Sequence, residues 1–591
     1  MTHRRLALGV AAGGLAAFTV SLAARKLGEF DLPTLLAIGR DLWRTGVIPR
    51  VDDLSYLHGT IRYVEALSAA AFFAAFHLGG ALGLQALGAL AASCIALALW
   101  GLTRPFGPVA FVAVAVAMAA MSNFLVVRSS MLSFPLLGLT LLALDTHRRA
   151  PGTARGRRAL GAVAVLQLVW ANTHGSAPLG LLVAGAYFLH RAAARLAGGR
   201  APALLPGTDA TDLRATGVAT VVAAAASCVN PAGARLLLGP FRFHENLAAF
   251  SEWARPSWAF YAGHEPIAAA MFAAALAAIA LGRDCETGRR VPAVFDLALA
   301  VLGLVFAAAA VRLVPLGVVL VAPWLARRWG GYVRPPMQVI CAGTGLLSAL
   351  PVLVMSPLPL GVGFDTSHLP EGAALWAEIH RPEGHLWNPS PFGGYLSWRL
   401  YPGQRILMDG RNVLAHESAD VALVDASERD PAAFAELVHR YDLQWAVTRS
   451  FEGTDFGAPL AGSRDWAMVW FDDVSAVYVK RGGADDRFAV EGYRVLRHLA
   501  GAGKVLSMAA AGRHAEELAH DGALAVQQAP ASARAAFFEA CGAIAVRDGR
   551  RFRLAVDHLA ALAPGHPALS VLFAAWRDVN ASPAPDSPPG P

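Results

Sequence analysis

Carboxylates gather in one polar stretch near the start of the chain. Asp31 stands at its beginning, and Asp52 and Asp53 follow a turn interrupted by Pro49. A carboxylate can take a proton from an attacking hydroxyl as a general base, or ligate a divalent cation such as Mg²⁺ or Mn²⁺. The competing interpretation is structural, because Asp also caps helices and turns. The grouping of acids in one segment makes chemistry as good an interpretation as the structural one, and Asp31 and Asp52 are the catalytic candidates.

Further along the chain, polar residues stand at the ends of apolar segments. Arg128 and Arg312 are suited to clamp a phosphate, although arginines at such places also extend their head groups to a membrane interface. His174 ends another apolar segment, and Glu252-Trp253 pairs a carboxylate with an aromatic ring that could contact a sugar or lie in an interfacial aromatic belt. We take these as substrate-binding candidates. Secondary candidates are Asp53, Tyr56, Glu65, Asn172, Asn230, and the strand-end pair Asp409 and Arg411, which could equally form a tight turn.

The elements that must position these residues are mostly apolar. The chain has 591 residues, of which 55% are hydrophobic and 16% charged, with a mean hydropathy of +0.45. Apolar runs of about 15–22 residues, the length of a membrane-spanning helix, recur up to residue 357. We predict a membrane domain over 1–357 with about 11–13 membrane helices. The candidate segments are 6–24, 64–78, 81–101, 106–123, 131–146, 159–172, 177–194, 215–229, 266–282, 293–311, 313–326 and 336–356.

The loops indicate an orientation. Arginines concentrate in 147–158, 190–200, 283–290 and 326–334, which the positive-inside rule assigns to the cytoplasm together with the N-terminus. The first loop, 25–63, and the C-terminal region are then extracytoplasmic. Within that loop an apolar stripe from Leu35 to Trp43 predicts a short helix lying on the membrane. Leu6–Ala24 is read as a retained signal anchor because its apolar run is long and further spans follow.

After the membrane domain, the composition becomes that of a soluble protein. Short strands alternating with helices predict a small α/β domain over 358–483 with a mainly parallel sheet. The predicted strands include Leu386–Asn388, Arg405–Asp409, Trp445–Thr448, Met468–Phe471 and Ala476–Val479. The region 484–580 is helical and tetratricopeptide-like, since Ala529-Pro530 and Ala563-Pro564 stand 34 residues apart. The Pro/Ser-rich end, 581–591, is expected to be disordered.

Several function classes lack support in the sequence. The net charge of +7 arises mainly from arginines in short loops, and no basic patch is interleaved with aromatics, so we expect no nucleic-acid partner. The five cysteines form no CxxC pair, which argues against a disulfide framework or a zinc site. No GxSxG, Walker loop or dinucleotide fingerprint occurs. The sequence therefore does not indicate a hydrolase, an ATPase or a redox enzyme.

The succession of motifs over residues 28–480 resembles bacterial multi-spanning proteins related to the GT-C glycosyltransferases. These enzymes use sugars linked to polyprenyl phosphate outside the cytoplasm. The matching features are Asp31, the stretch Gly46–Tyr56, Trp170–Gly175, Asn230–Gly233, Ser251–Trp253, Arg312 before Pro315, Gly393–Trp398 and Asp409–Arg411.

The resemblance implies a GT-C-like membrane domain and an inverting transfer of sugar from a polyprenyl-phosphate donor to an extracytoplasmic acceptor. Asp31 or Asp52 would be the general base, and Arg312 with Arg128 or His174 would stabilise the departing phosphate. A divalent cation is compatible but not required. The implied location is the bacterial inner membrane, with a possible protein partner at the helical tail. Two other functions stay open: an inactive scaffold of an envelope-glycan machine, and a lipid or solute transporter, for which internal symmetry is missing.

Overall fold

The computed structural model describes residues 2–61, 65–107, 109–198, 210–242, 251–284, 293–329, 358–411 and 416–581. These residues form two compact units. The first comprises residues 1–50 and 62–365, and the second comprises residues 51–61 and 366–591. The predicted boundaries, at 357 and 483, had assigned the whole first loop to the membrane domain. The structure instead places the segment 51–61 of that loop in the second unit.

The first unit is helical. Each predicted apolar segment before residue 330 coincides with a helix, whereas the segment 336–356 lies outside the described residues. The helices are Thr2–Ala23, Asp31–Thr45, Ala66–Thr103, Val109–Ala120, Ser129–Arg149, Ala154–Ala171, Pro178–Ala197, Ala210–Ser227, Arg235–Arg242, Trp258–Gly263, Pro266–Leu281, Val294–Ala309 and Val314–Trp329.

Two of the described helices are long and apolar enough to cross a membrane, namely Ala66–Phe106 and Ser129–Arg149. Shorter apolar helices accompany them at Ala12–Ala23, Val109–Ala120, Pro266–Leu281 and Val294–Ala309. The multi-spanning prediction is therefore confirmed only in part. The first of the long helices turns at Gly80, whose φ of 56° and ψ of −144° are accessible to glycine, so the two predicted segments 64–78 and 81–101 meet there.

The unit is apolar both inside and outside. Helix Val314–Trp329 is buried on nearly all sides, which is typical of the central helix of a bundle. On helix Ala66–Thr103, by contrast, Leu82, Leu90 and Leu97 are each more than half exposed. Exposed leucines in a row along one helix face are unfavourable in water and are what a lipid-facing surface presents.

The predicted helix in the first loop is present as Asp31–Thr45. Its residues 32–39 are buried, and the helix packs against helix Ala66–Thr103. Gly39 allows this close approach, since a Cβ there would lie 2.1 Å from the carbonyl oxygen of Ala69. The apolar stripe predicted to lie on the membrane therefore faces protein for the most part, although Trp43 at its end is 63% exposed.

The second unit contains a four-stranded sheet in the order β1-β2-β4-β3. The strands are β1 His385–Trp387, β2 Leu443–Arg449, β3 Trp466–Phe471 and β4 Ser475–Lys480. Only β1 and β2 pair in parallel; β4 is antiparallel to both β2 and β3. The prediction of a mainly parallel sheet was wrong. The predicted strand Arg405–Asp409 was wrong too, because that segment makes only an isolated bridge, between Ile406 and Ser55.

Helices cover the sheet and continue to the end of the described chain. Those around the sheet are Glu371–His380, Ser390–Leu400, Ser418–Ser427, Pro431–Tyr441, Ala458–Gly462 and Asp486–Glu491. Those of the tail are Ala502–Ala510, Ala515–Gln528, Ala533–Ala545, Gly549–Leu562 and Ala568–Ala581. Both Ala-Pro pairs directly follow a tail helix, as proline cannot continue one. The tetratricopeptide assignment stays a prediction, and residues 582–591 lie outside the described chain.

Candidate functional site

A cluster of acids and arginines occupies one end of the first unit. We call it the arginine–acid cluster and define it by Glu29, Asp31, Glu65, Arg128, His174, Glu252 and Arg312. Its centre is Arg128, an extended residue directly before helix Ser129–Arg149. The Arg128 guanidinium lies 3.1 Å from Glu29 Oε1, 3.5 Å from Asp31 Oδ2 and 3.0 Å from Glu252 Oε1.

The segment that carries Glu29 and Asp31 is fixed by its own backbone. Leu27 N donates to Gly363 O at 2.9 Å, and Asp365 N donates to Leu27 O at 2.8 Å. Just before it, the Arg25 side chain donates to Ser122 O at 2.7 Å. These bonds hold the beginning of helix Asp31–Thr45, and with it both acids, against the loop that leads to Arg128.

Arg312 and Glu252 lie on two short 3₁₀ turns that are hydrogen-bonded to each other. Ser251–Trp253 forms one turn and Val311–Leu313 the other, and Val311 N donates to Ala254 O at 3.1 Å. The Arg312 guanidinium is 3.4 Å from Glu252 Oε2 and 5.6 Å from the centre of the Trp253 ring. Glu252 thus joins the two arginines, while Trp253 covers one of them.

His174 and Glu65 complete the cluster at 3.8 Å from each other. His174 Nδ1 lies 3.1 Å from Ser176 N and 2.8 Å from Ser176 Oγ, and Nε2 faces Glu65. Burial, with the charges of Arg312 and Arg128, holds the pKa of His174 well below its usual value. The Glu65 carboxyl hydrogen-bonds to Ser129.

The acids of the cluster differ in their electrostatics. Burial raises the pKa of Glu29 to about 7 against the opposing charge of Arg128. Burial likewise raises the pKa of Glu65 to about 7. At Glu252 burial acts in the same direction, but Arg128 and Arg312 outweigh it and lower the pKa. The cluster therefore holds groups that exchange protons near neutral pH beside one that stays ionised.

The second catalytic candidate, Asp52, lies in the second unit. It is fully buried and accepts two hydrogen bonds from Arg411 at 2.8 Å, and Arg411 also pairs with the buried Asp409 at 2.7 Å. His416 Nε2 is 3.9 Å from Asp52. Among the secondary candidates, Asp53 is exposed, and Tyr56 donates to Leu386 O at 2.9 Å while its ring stacks on His385.

Two further candidates hold loops of the first unit. Asn172 donates to Val229 O at 2.7 Å and to Leu168 O at 2.9 Å. Asn230 donates to Ser227 O at 2.7 Å and accepts from Ala232 N at 2.8 Å, which closes a local turn. Their side chains bind backbone rather than the charged groups of the cluster.

Sequence reasoning missed Glu29. It lies two residues before Asp31 and contacts the same guanidinium. The signal was its closeness to Asp31, in the stretch already singled out for its grouped carboxylates.

The carboxyl groups of the cluster are the candidate ligands for a divalent cation. In the described part of the chain, no three His, Cys, Asp or Glu side chains are grouped to hold a metal ion. The acids that converge here, Glu29, Asp31 and Glu252, do so on the guanidinium of Arg128, which already supplies the positive charge between them. As arranged, these residues do not fit a divalent cation.

Comparison with known proteins gives a likeness in structure. The oligosaccharyltransferase from Archaeoglobus fulgidus, in its apo form, superposes with a TM-score of 0.53 at 12% identity over 75% of this chain and 69% of that chain. ArnT from Cupriavidus metallidurans gives 0.49 in the apo state, at 14% identity over 81% of this chain and 98% of that one. Bound to undecaprenyl phosphate, ArnT gives 0.45 at 14% identity over 80% and 97%.

No family model and no curated protein matches the sequence. At 12% identity, the likeness to the archaeal enzyme concerns the fold and not the activity. The GT-C-like fold that the sequence motifs implied is confirmed: the chain is similar in fold to this oligosaccharyltransferase.

Proposed function

We propose that this protein is a membrane glycosyltransferase that moves a sugar from a polyprenyl-phosphate carrier to a hydroxyl acceptor. The observation that carries the proposal is the arginine–acid cluster, which holds a candidate base, Asp31, beside two candidate phosphate ligands, Arg128 and Arg312. The exposed leucines of the first unit support a location in the membrane. The bacterial inner membrane and an extracytoplasmic site remain part of the proposal.

The proposed reaction is a single displacement at the sugar's anomeric carbon. The acceptor oxygen attacks that carbon while Asp31 takes its proton. The bond between the anomeric carbon and the phosphate oxygen breaks, and its electron pair leaves with the polyprenyl phosphate. Arg128 and Arg312 stabilise the charge that grows on the leaving phosphate, since guanidinium matches phosphate in charge and geometry.

Asp31 is a better candidate for the base than Asp52. The Asp31 side chain is 43% exposed, so an acceptor can reach it. Asp52 is fully buried and both of its oxygens accept from Arg411, which supports a structural role in the second unit. That unit, with its helical tail, would recruit the acceptor or a protein partner.

The test replaces Asp31 by Asn in a strain that lacks the native gene. We expect at least a hundredfold less of the glycan product, measured by mass spectrometry of envelope glycans, with protein levels unchanged. Asp41→Asn is the matched control, because Asp41 lies on the same helix and pairs only with Arg44 among the contacts described here.

Full glycan output from Asp31→Asn would contradict the enzymatic proposal. If deletion of residues 484–580 then abolished output, a scaffold would be the better explanation.

A further inference from the structure

We propose that Glu252 is an internal stand-in for the donor phosphate: it bridges Arg128 and Arg312 and is displaced when a phosphate binds. This inference rests on the proposed function and adds a role for Glu252 in controlling donor affinity.

The contacts of Glu252 are those expected of a bound oxyanion. Its Oε1 accepts from Arg128 Nη1 at 3.0 Å and its Oε2 from Arg128 Nη2 at 3.3 Å, the two-pronged pairing that guanidinium makes with carboxylate and phosphate alike. Oε2 also lies 3.4 Å from Arg312 Nη1. One carboxylate thus occupies the faces of both guanidiniums that a phosphate would use.

The exposure of the three side chains indicates which one can move. The Arg128 side chain is 11% exposed and Arg312 is 28% exposed, whereas that of Glu252 is 45% exposed. Glu252 also sits on a three-residue 3₁₀ turn rather than within a long helix. Its carboxylate can therefore rotate into solvent while the guanidiniums, held by Glu29, Asp31 and Trp253, stay in place.

The charge balance requires such a movement. Glu29, Asp31 and Glu252 contact the guanidinium of Arg128, and Glu252 also contacts that of Arg312, so both guanidiniums are already paired with carboxyl groups. A phosphate entering next to Glu252 would meet a like charge within a few ångströms in a poorly solvated site, which is unfavourable. Exchanging one anion for the other keeps the net charge nearly constant, so donor affinity is reduced by the competition with Glu252.

The experiment measures phosphate binding by the full-length protein in detergent. Undecaprenyl phosphate and inorganic phosphate are titrated separately, with uncharged undecaprenol as the lipid control, and binding is followed by tryptophan fluorescence. Glu252→Gln keeps the side-chain shape but removes the charge. We expect it to bind undecaprenyl phosphate about tenfold more tightly, ~1.4 kcal/mol, with undecaprenol binding unchanged.

Two variants serve as references. Glu265→Gln removes a carboxyl from the same stretch of chain, one that accepts from Asn123 rather than from either arginine, and should bind like the wild type. Glu252→Asp keeps the charge and should not gain affinity. Tighter binding of both inorganic phosphate and undecaprenyl phosphate by Glu252→Gln would show that Glu252 competes with the phosphate group itself. Tighter binding of undecaprenyl phosphate alone would show that Glu252 competes with the phosphate of the lipid carrier and not with free phosphate.

Weaker or unchanged binding by Glu252→Gln would overturn the inference and favour direct contact between Glu252 and the sugar. The proposed function fails separately. If Arg312→Gln binds undecaprenyl phosphate as tightly as the wild type, the phosphate is not held here, and both proposals are wrong.

Discussion

Arg128 is the positively charged residue that contacts three acids of the candidate site. It precedes a helix, is mostly buried, and contacts Glu29, Asp31 and Glu252. Burial alone would lower the pKa of its guanidinium, but these acids raise it, so Arg128 is permanently charged. In the proposed reaction, the same guanidinium would orient the base and attract the phosphate, so donor binding would be coupled to the position of Asp31.

Glu29 provides a pH-dependent prediction. Burial raises the pKa of Glu29 to about 7, so the native protein keeps a proton that the unfolded chain loses above pH of about 4.5. This contribution to stability is present in full below that pH and is lost as the pH rises through 7. The Glu29→Gln variant lacks this titrating carboxyl, so its stability does not contain this pH-dependent contribution. We expect the unfolding free energy of the wild type, relative to Glu29→Gln, to fall by on the order of 2 kcal/mol between pH 5 and pH 8.

Thermal unfolding of both proteins in one detergent, at several pH values, measures this difference. Asp41→Asn, which removes a partner of Arg44 and leaves Glu29 in place, is the control variant. Parallel curves for the wild type and Glu29→Gln would show that Glu29 titrates in the same way in the folded and unfolded chains.

Individual site residues were more accessible to prediction than their grouping. Asp31, Arg128 and Arg312 stood out in the sequence by residue type and by position beside apolar segments. Their convergence could not be read from spacing, because it depends on how distant helices pack. The sequence grouped Asp31 with Asp52 and Asp53, whereas the contacts that form join Asp31 to Glu29 through Arg128.

At the scale of elements, the proposed base, Asp31, is positioned by the packing of one helix on another. Gly39 of helix Asp31–Thr45 faces helix Ala66–Thr103, and a Cβ there would also lie 2.7 Å from Phe73 Cβ. Gly39→Ala must push the helices apart, at a typical overpacking cost of about 1–3 kcal/mol. We expect transfer activity to fall at least tenfold, since Asp31 moves with its helix, and the melting temperature to fall as well.

Gly161→Ala is the matched control for that change. Gly161 lies within helix Ala154–Ala171, and a Cβ there would meet no atom within 4 Å. Alanine should leave activity intact and add stability of roughly 0.5–1 kcal/mol. Equal activity and stability of both variants would mean that the helix of Asp31 is not held by this contact.

The strands of the sheet could be predicted from the sequence, but their pairing could not. Strands near β1, β2, β3 and β4 were recognised from their residues, but their pairing was misassigned. The three residues between β3 and β4, Asp472 to Val474, are too few for the crossover that parallel neighbours need, so this connection required an antiparallel pair. Ile406–Met408 resembled a strand in the sequence because these residues are apolar. They are indeed fully buried in the structure, but side-chain packing buries them without a place in the sheet.

At the scale of the whole molecule, Asp52 has a structural task. Its ion pair with Arg411 is buried in the second unit, beside Asp409. Asp52→Asn removes one of the two charges that balance Arg411 and should destabilise this unit by about 2–3 kcal/mol. Differential scanning calorimetry would detect this as a lower transition temperature. The exposed neighbour should tolerate the same change, so Asp53→Asn should stay within about 0.5 kcal/mol of the wild type.

The segment 51–61 also makes the second unit discontinuous in the chain. The polypeptide enters this unit at residue 51, leaves it after 61 and returns at 366. Within it, Ser55 Oγ donates to Leu407 O at 2.7 Å and Tyr56 N to Ile406 O at 3.2 Å. A protease that cuts once near residue 366 would therefore produce two fragments that still elute together. A single cut therefore cannot release the whole second unit, and a single truncation of the gene cannot remove all of it.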